Sequence, residues 1–210
     1  MKQCEVGKLT KRSDVVGKKI SARWDHIYKW DANLGCRVAK SRYVAREFKW
    51  QEYRDDLFTP GSSMAESRVV DYVALKHAWP TFTVDAEDAY YHVPEEEDVW
   101  VECPPEILEE RHAEGDYEDY VWQLKKQLPG RRAGGKHWVE FAAESLKFRG
   151  FERSPTAPQF FWHAELPCLV ELHMDDMYGT APGLVGSEFV LDLGRDIKVK
   201  WSGLLDEGSD

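Results

Sequence analysis

Apolar and polar residues repeat with a helical period in three segments of the chain. Ser63 and Glu66 stand three residues apart ahead of an apolar stripe, which is the signature of a capped helix over about 63–78. The same period predicts a second helix at about 135–149 and a third near 186–196. Strands are therefore expected in the segments that lie between these helices.

Short apolar and alternating segments predict those strands. KISARW (19–24) and RVAKSRYVAREF (37–48) predict a basic hairpin, joined through the turn-rich sequence DANLG. TFTVDA (81–86) predicts a buried strand, and AYYHVP is expected to continue it as far as Pro94. The remaining predicted strands are QFFWH (159–163), CLVELHM (168–174), the following MYGTA, and the final IKVKW. This order of elements predicts an α+β fold.

Composition fits a globular protein whose charge is unevenly distributed. The 210 residues suit one domain or two small ones, and 42% of them are hydrophobic. Residues 1–54 carry 14 Lys or Arg against 6 Asp or Glu, a balance of +8, although the chain as a whole has a net charge of −10. This basic part favours a polyanionic partner, because phosphate binding depends on Lys and Arg. Residues 95–119 are strongly acidic and are expected to form a solvated face or loop.

The sequence predicts an intracellular protein, cytoplasmic or nuclear, with no membrane partner. Its first residues have no apolar core of the kind found in a signal peptide, and no apolar run is long enough to cross a bilayer. Four cysteines lie far apart without a CxxC pair, so neither a zinc site nor a disulfide framework is expected. They are Cys4, Cys36, Cys103 and Cys168.

Adjacent carboxylates mark the candidate chemistry. Asp175 and Asp176 stand in ELHMDDMYG (171–179), and Asp85 lies at the end of a predicted strand that can approach them. Three neighbouring carboxylates repel one another, and divalent cations with hard oxygen ligands, such as Mg²⁺, stabilise such a cluster. An ordinary polar turn is the alternative explanation of the Asp-Asp pair.

At these residues the chain resembles a known family. VDAEDAYYHVP (84–94) together with HMDDMYG (173–179) resembles the palm motifs of reverse transcriptases, and the wider order is similar to that of copia-type LTR retrotransposon polymerases. Further matching segments are KSRYVAREF (40–48), DDLFTPGSSMAESR (55–68), VWVECPPE (99–106), LKKQLPGRRAGGKHW (124–138) and LKFRGFERSPTAPQFFW (146–162). The resemblance covers about 20–200. It implies the fingers and palm of a polymerase right hand, with an antiparallel palm sheet packed on helices.

The resemblance also implies a division of the chain. The implied parts are an N-terminal tail (1–18), fingers with the basic hairpin and first helix (19–83), the palm motif with the first Asp (84–94), an acidic insert with the fingers return and a helix (95–150), and the palm with the Asp-Asp hairpin (151–210). Family members continue into a thumb and an RNase H domain, which are expected to be absent here. The rest of a retrotransposon polyprotein, or another subunit, is therefore an expected partner.

The implied reaction is attack of a primer 3′-hydroxyl on a deoxynucleoside triphosphate, directed by an RNA or DNA template. By the resemblance, Asp85, Asp175 and Asp176 form the catalytic triad that binds two Mg²⁺ ions, with Mn²⁺ as an alternative. Ala86 is implied to add a backbone carbonyl oxygen to that metal site. His173 replaces the Tyr or Phe common at its position, and we interpret it as a satisfied histidine on a strand.

A nucleotide pocket is implied as well. Tyr90 is implied to exclude a 2′-hydroxyl, with a ring packed beside Tyr91 as the alternative. Asp88 and Ala89 are implied to lie at the same pocket. Basic residues of the fingers strand are implied to reach over the nucleotide, and alternation places them on one face, although a solvated strand face is the alternative. They are Lys40, Arg42 and Arg46.

Three functional hypotheses remain open. The first is a working RNA-directed DNA polymerase, a nucleotidyltransferase, which the intact triad favours. The second is a degenerate or domesticated retrotransposon fragment that keeps the fold and binds nucleic acid or protein without catalysis. This is favoured by residues 129–135, which depart from the family's usual sequence. The third is an unrelated carboxylate-metal hydrolase, which has little support beyond the Asp residues.

Overall fold

The computed structural model describes residues 6–31, 34–48, 53–55, 57–59 and 61–205. These residues form a mixed α+β structure with four α-helices. Cys4 and the central part of the predicted DANLG turn lie outside them, and Cys36, Cys103 and Cys168 are free thiols. Within the described ranges, no helix has the length and apolar character needed to cross a membrane.

The chain divides into two compact units. The first unit comprises residues 1–57 and 90–134, and the second unit comprises residues 58–89 and 135–210. Each unit is therefore built from two separate stretches of sequence.

The first unit contains a four-stranded sheet, a two-stranded hairpin and one helix. The sheet has the strand order β1-β7-β6-β2, in which only the β2–β6 pair is parallel. Its strands are β1 (Gly7–Lys11), β2 (Lys18–Lys19), β6 (Val99–Glu102) and β7 (Tyr120–Leu124). The hairpin pairs β3 (Ala22–Asp31) with β4 (Cys36–Ala45), and the helix is α2 (Pro105–Ala113). Strand β1 lies in the stretch that was expected to be an N-terminal tail.

The second unit is built on a wholly antiparallel six-stranded sheet of order β12-β5-β11-β10-β9-β8. Its strands are β5 (Thr81–Ala86), β8 (Phe151–Arg153), β9 (Phe160–His163), β10 (Leu169–His173), β11 (Asp176–Thr180) and β12 (Val199–Leu205). The remaining helices are α1 (Met64–His77), α3 (Gly134–Phe148) and α4 (Gly183–Leu193). Helix α1 contacts β5, β10 and β11, and α4 contacts β12.

Several predicted elements are confirmed. Helix α1 begins after Ser63, and the capping box is present, with the backbone N–H of Ser63 donating to a carboxylate oxygen of Glu66 at 2.7 Å. Strand β5 has the predicted bounds, and α3 lies within one residue of the predicted helix at each end. Helix α4 begins three residues earlier than predicted, directly after Pro182.

One expectation was wrong, and another was confirmed only in part. The segment AYYHVP does not continue the strand, because Asp88 has a left-handed φ of 56° that ends the extended backbone, and Ala89–His92 forms a 3₁₀ turn. The acidic stretch 95–119 is not simply a solvated face. It contains β6 and α2, and the side chain of Glu95 is fully buried against Arg131.

Candidate active site

Strand register brings the three predicted aspartates together in the second unit. Asp85 on β5 is the cross-strand partner of Asp176 on β11. The next backbone amide, that of Ala86, donates a hydrogen bond of 2.8 Å to the carbonyl oxygen of Asp175. Side chains of directly opposed residues lie on one face with Cβ atoms about 5 Å apart. Asp85, Asp175 and Asp176, hereafter the Asp cluster, therefore lie at one end of the β5–β11 pair.

A tight hairpin presents two members of this cluster. His173 pairs with Asp176, which leaves Met174 and Asp175 as the two-residue turn between β10 and β11. Met174 has a positive φ of 55°, which residues other than glycine rarely adopt, whereas Asp175 does not. A left-handed methionine costs about 1–2 kcal/mol. Trp138 on α3 donates its indole N–H to the Met174 carbonyl oxygen at 2.6 Å and so supports the turn.

The carboxylates of the Asp cluster repel one another at Asp176. Burial, followed by the charges of Asp175 and Asp85, raises the pKa of Asp176, while His173 opposes that shift. Nδ1 of His173 lies 2.5 Å from the hydroxyl oxygen of Ser62, so this exposed histidine has a hydrogen-bonding partner, as the sequence indicated. Burial and the two neighbouring carboxylates thus disfavour the charge of Asp176, as expected where an external cation binds.

The Asp cluster fits a divalent cation by donor type and by strand placement. Aspartate oxygens are hard ligands of the kind that Mg²⁺ and Mn²⁺ prefer, and pairing of β5 with β11 sets them side by side. Among the described residues, however, no three His, Cys, Asp or Glu side chains are arranged so that they could hold a metal ion together.

Sequence reasoning missed one basic residue beside this cluster. Lys200 on β12 is the cross-strand partner of Asp85 on the side opposite to Asp176. Its ammonium group is therefore on the face that carries the two carboxylates. The predicted strand IKVKW contained this signal, but its pairing partner was not evident from sequence.

The three residues implied to border the nucleotide pocket differ in exposure and in packing. Asp88 is exposed in the turn after β5, and Ala89 is buried at the start of the 3₁₀ turn. In the first unit, the Tyr90 ring lies so close to Gly134 that a Cβ there would be 2.6 Å from it. The ring of Tyr90 therefore packs against Gly134.

The three basic residues of the predicted fingers strand are all exposed. Lys40 and Arg42 alternate on β4, where their cross-strand partners are Ile27 and Asp25. Arg46 lies just beyond the end of β4, and its guanidinium is stacked over the Phe48 ring at 5.5 Å.

A buried ionic cluster in the first unit was not predicted. The guanidinium of Arg131 bonds to Glu47 at 2.7 Å, to both carboxylate oxygens of Glu95 at 2.9 and 3.1 Å, and to Glu97 at 2.9 Å. Arg131 and Glu95 have fully buried side chains. Burial disfavours the charge of Arg131, but the carboxylates outweigh burial and raise its pKa. Arg131, Glu47, Glu95 and Glu97 are hereafter the Arg131 cluster.

Comparison with known proteins identifies the type of domain. A family model described as "Reverse transcriptase (RNA-dependent DNA polymerase)" matches residues 8–202. A search of curated proteins gave no significant match. The family match covers nearly all the described residues and includes every residue of both clusters.

Proposed function

Because this chain belongs to the reverse transcriptase (RNA-dependent DNA polymerase) family, we propose that it adds deoxynucleotides to a primer 3′-hydroxyl on an RNA or DNA template. The observation that carries this proposal is the register that opposes Asp85 to Asp176 and bonds Asp175 to Ala86. We further propose that the chain is the fingers and palm of a copia-type retrotransposon polymerase. Its partners would then include the rest of a polyprotein or another subunit.

The proposed roles follow from the chain's own residues. Asp85, Asp175 and Asp176 would hold two divalent ions, Mg²⁺ or Mn²⁺, together with the carbonyl oxygen of Ala86. Bound ions would supply the positive charge that neutralises the reacting phosphates. Trp138 holds the hairpin before substrate arrives, which lowers the cost of positioning the carboxylates during the reaction.

The nucleotide contacts are part of the same proposal. Tyr90 would limit the space beside the sugar and so exclude a 2′-hydroxyl. Asp88 and Ala89 would border the pocket through the turn that follows β5. The exposed cations on and beyond β4 would bind phosphate oxygens as charge-assisted donors. These cations are Lys40, Arg42 and Arg46.

A second candidate is a polymerase-like scaffold that binds nucleic acid or protein without catalysis. The observation in its favour is that, in the described part of the chain, no three acidic, His or Cys side chains are positioned to hold a metal ion. Residues 129–135 also differ from the family's usual sequence, and here they contribute Arg131 to a buried ionic cluster.

Primer extension on an RNA template, with Mg²⁺ or Mn²⁺ and deoxynucleotides, distinguishes the two candidates. We expect extension by the wild type and a loss on the order of 100-fold or more in Asp85→Asn and Asp175→Asn, the range found when charge-stabilising groups are removed. Asp71→Asn is the matched control, since Asp71 accepts a hydrogen bond from Tyr178 and an amide oxygen can replace it. A folded wild type that extends no primer would favour the scaffold.

A further inference from the structure

Strand β3 carries a row of aromatic side chains on one face. Trp24, His26, Tyr28 and Trp30, hereafter the aromatic row, alternate along the strand and so lie on the same side of the hairpin. The outer members are largely exposed, 74% for Tyr28 and 67% for Trp30. Single exposed apolar residues are common, but a contiguous exposed row marks an interaction site.

The inner end of the aromatic row is fixed in place. Trp24 packs on Tyr43 with ring centroids 5.2 Å apart, and the His26 ring stacks on Trp24 at 6.1 Å and 18°. Nδ1 of His26 lies 2.7 Å from the hydroxyl oxygen of Ser41 on β4. Ten consecutive residue pairs join β3 to β4. The outer rings therefore extend from an ordered strand and lose little freedom when they bind a ligand.

The spacing of these rings suits nucleic-acid bases. Alternate residues of a strand are about 6.7 Å apart, which is twice the roughly 3.4 Å repeat of stacked bases. A base can therefore fit between rings two residues apart. Stacking on aromatic rings beside basic groups is how proteins bind single strands with little sequence preference.

The charges beside the aromatic row favour a negatively charged ligand at its outer end. Arg37 is the cross-strand partner of Trp30 and shares its face, while Lys29 and Lys40 lie on the opposite face of the hairpin. The inner end is acidic, because the indole N–H of Trp24 donates to a carboxylate oxygen of Glu106 at 3.2 Å. A polyanion would thus be attracted to the outer part of the row and repelled from its inner end.

We propose that Tyr28 and Trp30, with Arg37, bind single-stranded nucleic acid by base stacking. This goes beyond the proposed catalysis, since the contact needs neither divalent ions nor nucleoside triphosphates. It also uses the opposite face of the hairpin from Lys40 and Arg42. Unpaired bases are required, so a duplex of the same length should compete poorly.

Fluorescence anisotropy with a labelled single-stranded RNA 12-mer, without divalent ions or nucleotides, tests the proposal. We expect Tyr28→Ala and Trp30→Ala each to weaken binding by roughly 10-fold, and the double variant by roughly 100-fold. Tyr28→Phe and Trp30→Phe keep a stacking ring and should bind almost as the wild type does. Tyr117→Ala is the matched control, because Tyr117 is equally exposed, at 76%, but lies in the acidic segment.

Salt dependence separates stacking from phosphate contacts. The aromatic variants should keep the wild-type slope of log affinity against log salt, whereas Arg37→Gln should reduce it. The proposal is overturned if the wild type does not bind the 12-mer, or if the double Ala variant binds it as tightly as the wild type does. If the double Ala variant binds RNA as the wild type does but self-associates more weakly in sedimentation, the aromatic row would be assigned to protein contacts instead.

The two proposals can fail separately. Asp176→Asn should abolish primer extension and leave 12-mer binding unchanged, because Asp176 lies in the second unit and the row in the first. A chain that binds RNA through Tyr28 and Trp30 but extends no primer would retain this inference and reject the catalytic function.

Discussion

The Arg131 cluster and the Asp cluster each contain three carboxylates, but among the described residues only those of the Arg131 cluster form ion pairs with basic side chains. In the Arg131 cluster a single guanidinium bonds to Glu47, Glu95 and Glu97. Arg131 and Arg54 outweigh burial and lower the pKa of Glu97. In the Asp cluster the neighbouring carboxylates add to burial and raise the pKa of Asp176.

This difference separates a structural cluster from a candidate site. Buried ions are tolerated when partners within the protein satisfy them, and here Arg131 is joined by Arg54 on Glu97 and Lys18 near Glu47. Across the ranges that the structure describes, no Lys or Arg side chain forms an ion pair with Asp85, Asp175 or Asp176. Repulsion that the fold maintains in this way is typical of sites that bind an external cation.

Arg131→Met should have the largest effect on stability. Removing one partner of a buried ion pair leaves uncompensated charges, and we expect the free energy of unfolding to fall by about 3–5 kcal/mol. Arg195→Met is the control, because the exposed Arg195–Asp192 pair should contribute less than about 1 kcal/mol. Urea unfolding of both variants measures the difference. A loss for Arg131→Met as small as that of the control would show that the cluster is not structural.

The difference in unfolding free energy between wild type and Arg131→Met should become smaller at acidic pH. The folded-state pKa of Glu97 is lowered from 4.5, so its ionisation stabilises the fold above that value and the contribution is lost as the pH falls through the lowered pKa. The difference between wild type and Arg131→Met should therefore shrink below about pH 4.5. A difference that stays constant from neutral to acid pH would contradict the assigned charges.

Trp138→Phe should have an intermediate effect. It removes the indole N–H that donates to the Met174 carbonyl oxygen, while most of the ring packing remains. We expect a loss of about 1 kcal/mol in the free energy of unfolding, because the Met174 carbonyl oxygen loses this hydrogen-bond partner. If the hairpin is positioned by this bond, extension activity should fall as well. Unchanged stability and activity would show that Trp138 does not support the turn.

Asp176→Asn should have the smallest effect and the opposite sign. Because burial and the neighbouring carboxylates raise the pKa of Asp176 in the folded state, its ionisation above that pKa destabilises the fold, and a neutral amide removes both penalties. We expect a higher melting temperature than wild type at neutral pH without divalent ions. The difference should decrease as the pH falls and Asp176 becomes protonated. A lower melting temperature at neutral pH would contradict the proposed repulsion.

Local signals in the sequence predicted much of the second unit. Ser63 and Glu66 identified the start of α1, and the apolar run at 81–86 identified β5. The proximity of Asp85 to Asp175 and Asp176 followed from placing each at a strand end, but the register that opposes Asp85 to Asp176 required the structure.

The first unit was harder to predict because its key contacts are long-range. Glu47, Glu95 and Arg131 are far apart in sequence, and nothing local marks Glu95 as buried. Helix α2 was missed because it has no buried residues and therefore no apolar stripe. The left-handed Asp88, which ends β5, has no sequence signal comparable to a glycine.

Electron paramagnetic resonance of Mn²⁺, recorded without nucleic acid or nucleotide, measures whether the Asp cluster binds a cation. We expect the wild type to bind Mn²⁺, and Asp85→Asn and Asp176→Asn each to weaken binding by roughly 10-fold or more. Glu95→Gln, which alters the Arg131 cluster, should leave Mn²⁺ affinity unchanged. Equal Mn²⁺ affinity in the wild type and both Asp variants would contradict the assignment of the Asp cluster as a cation site.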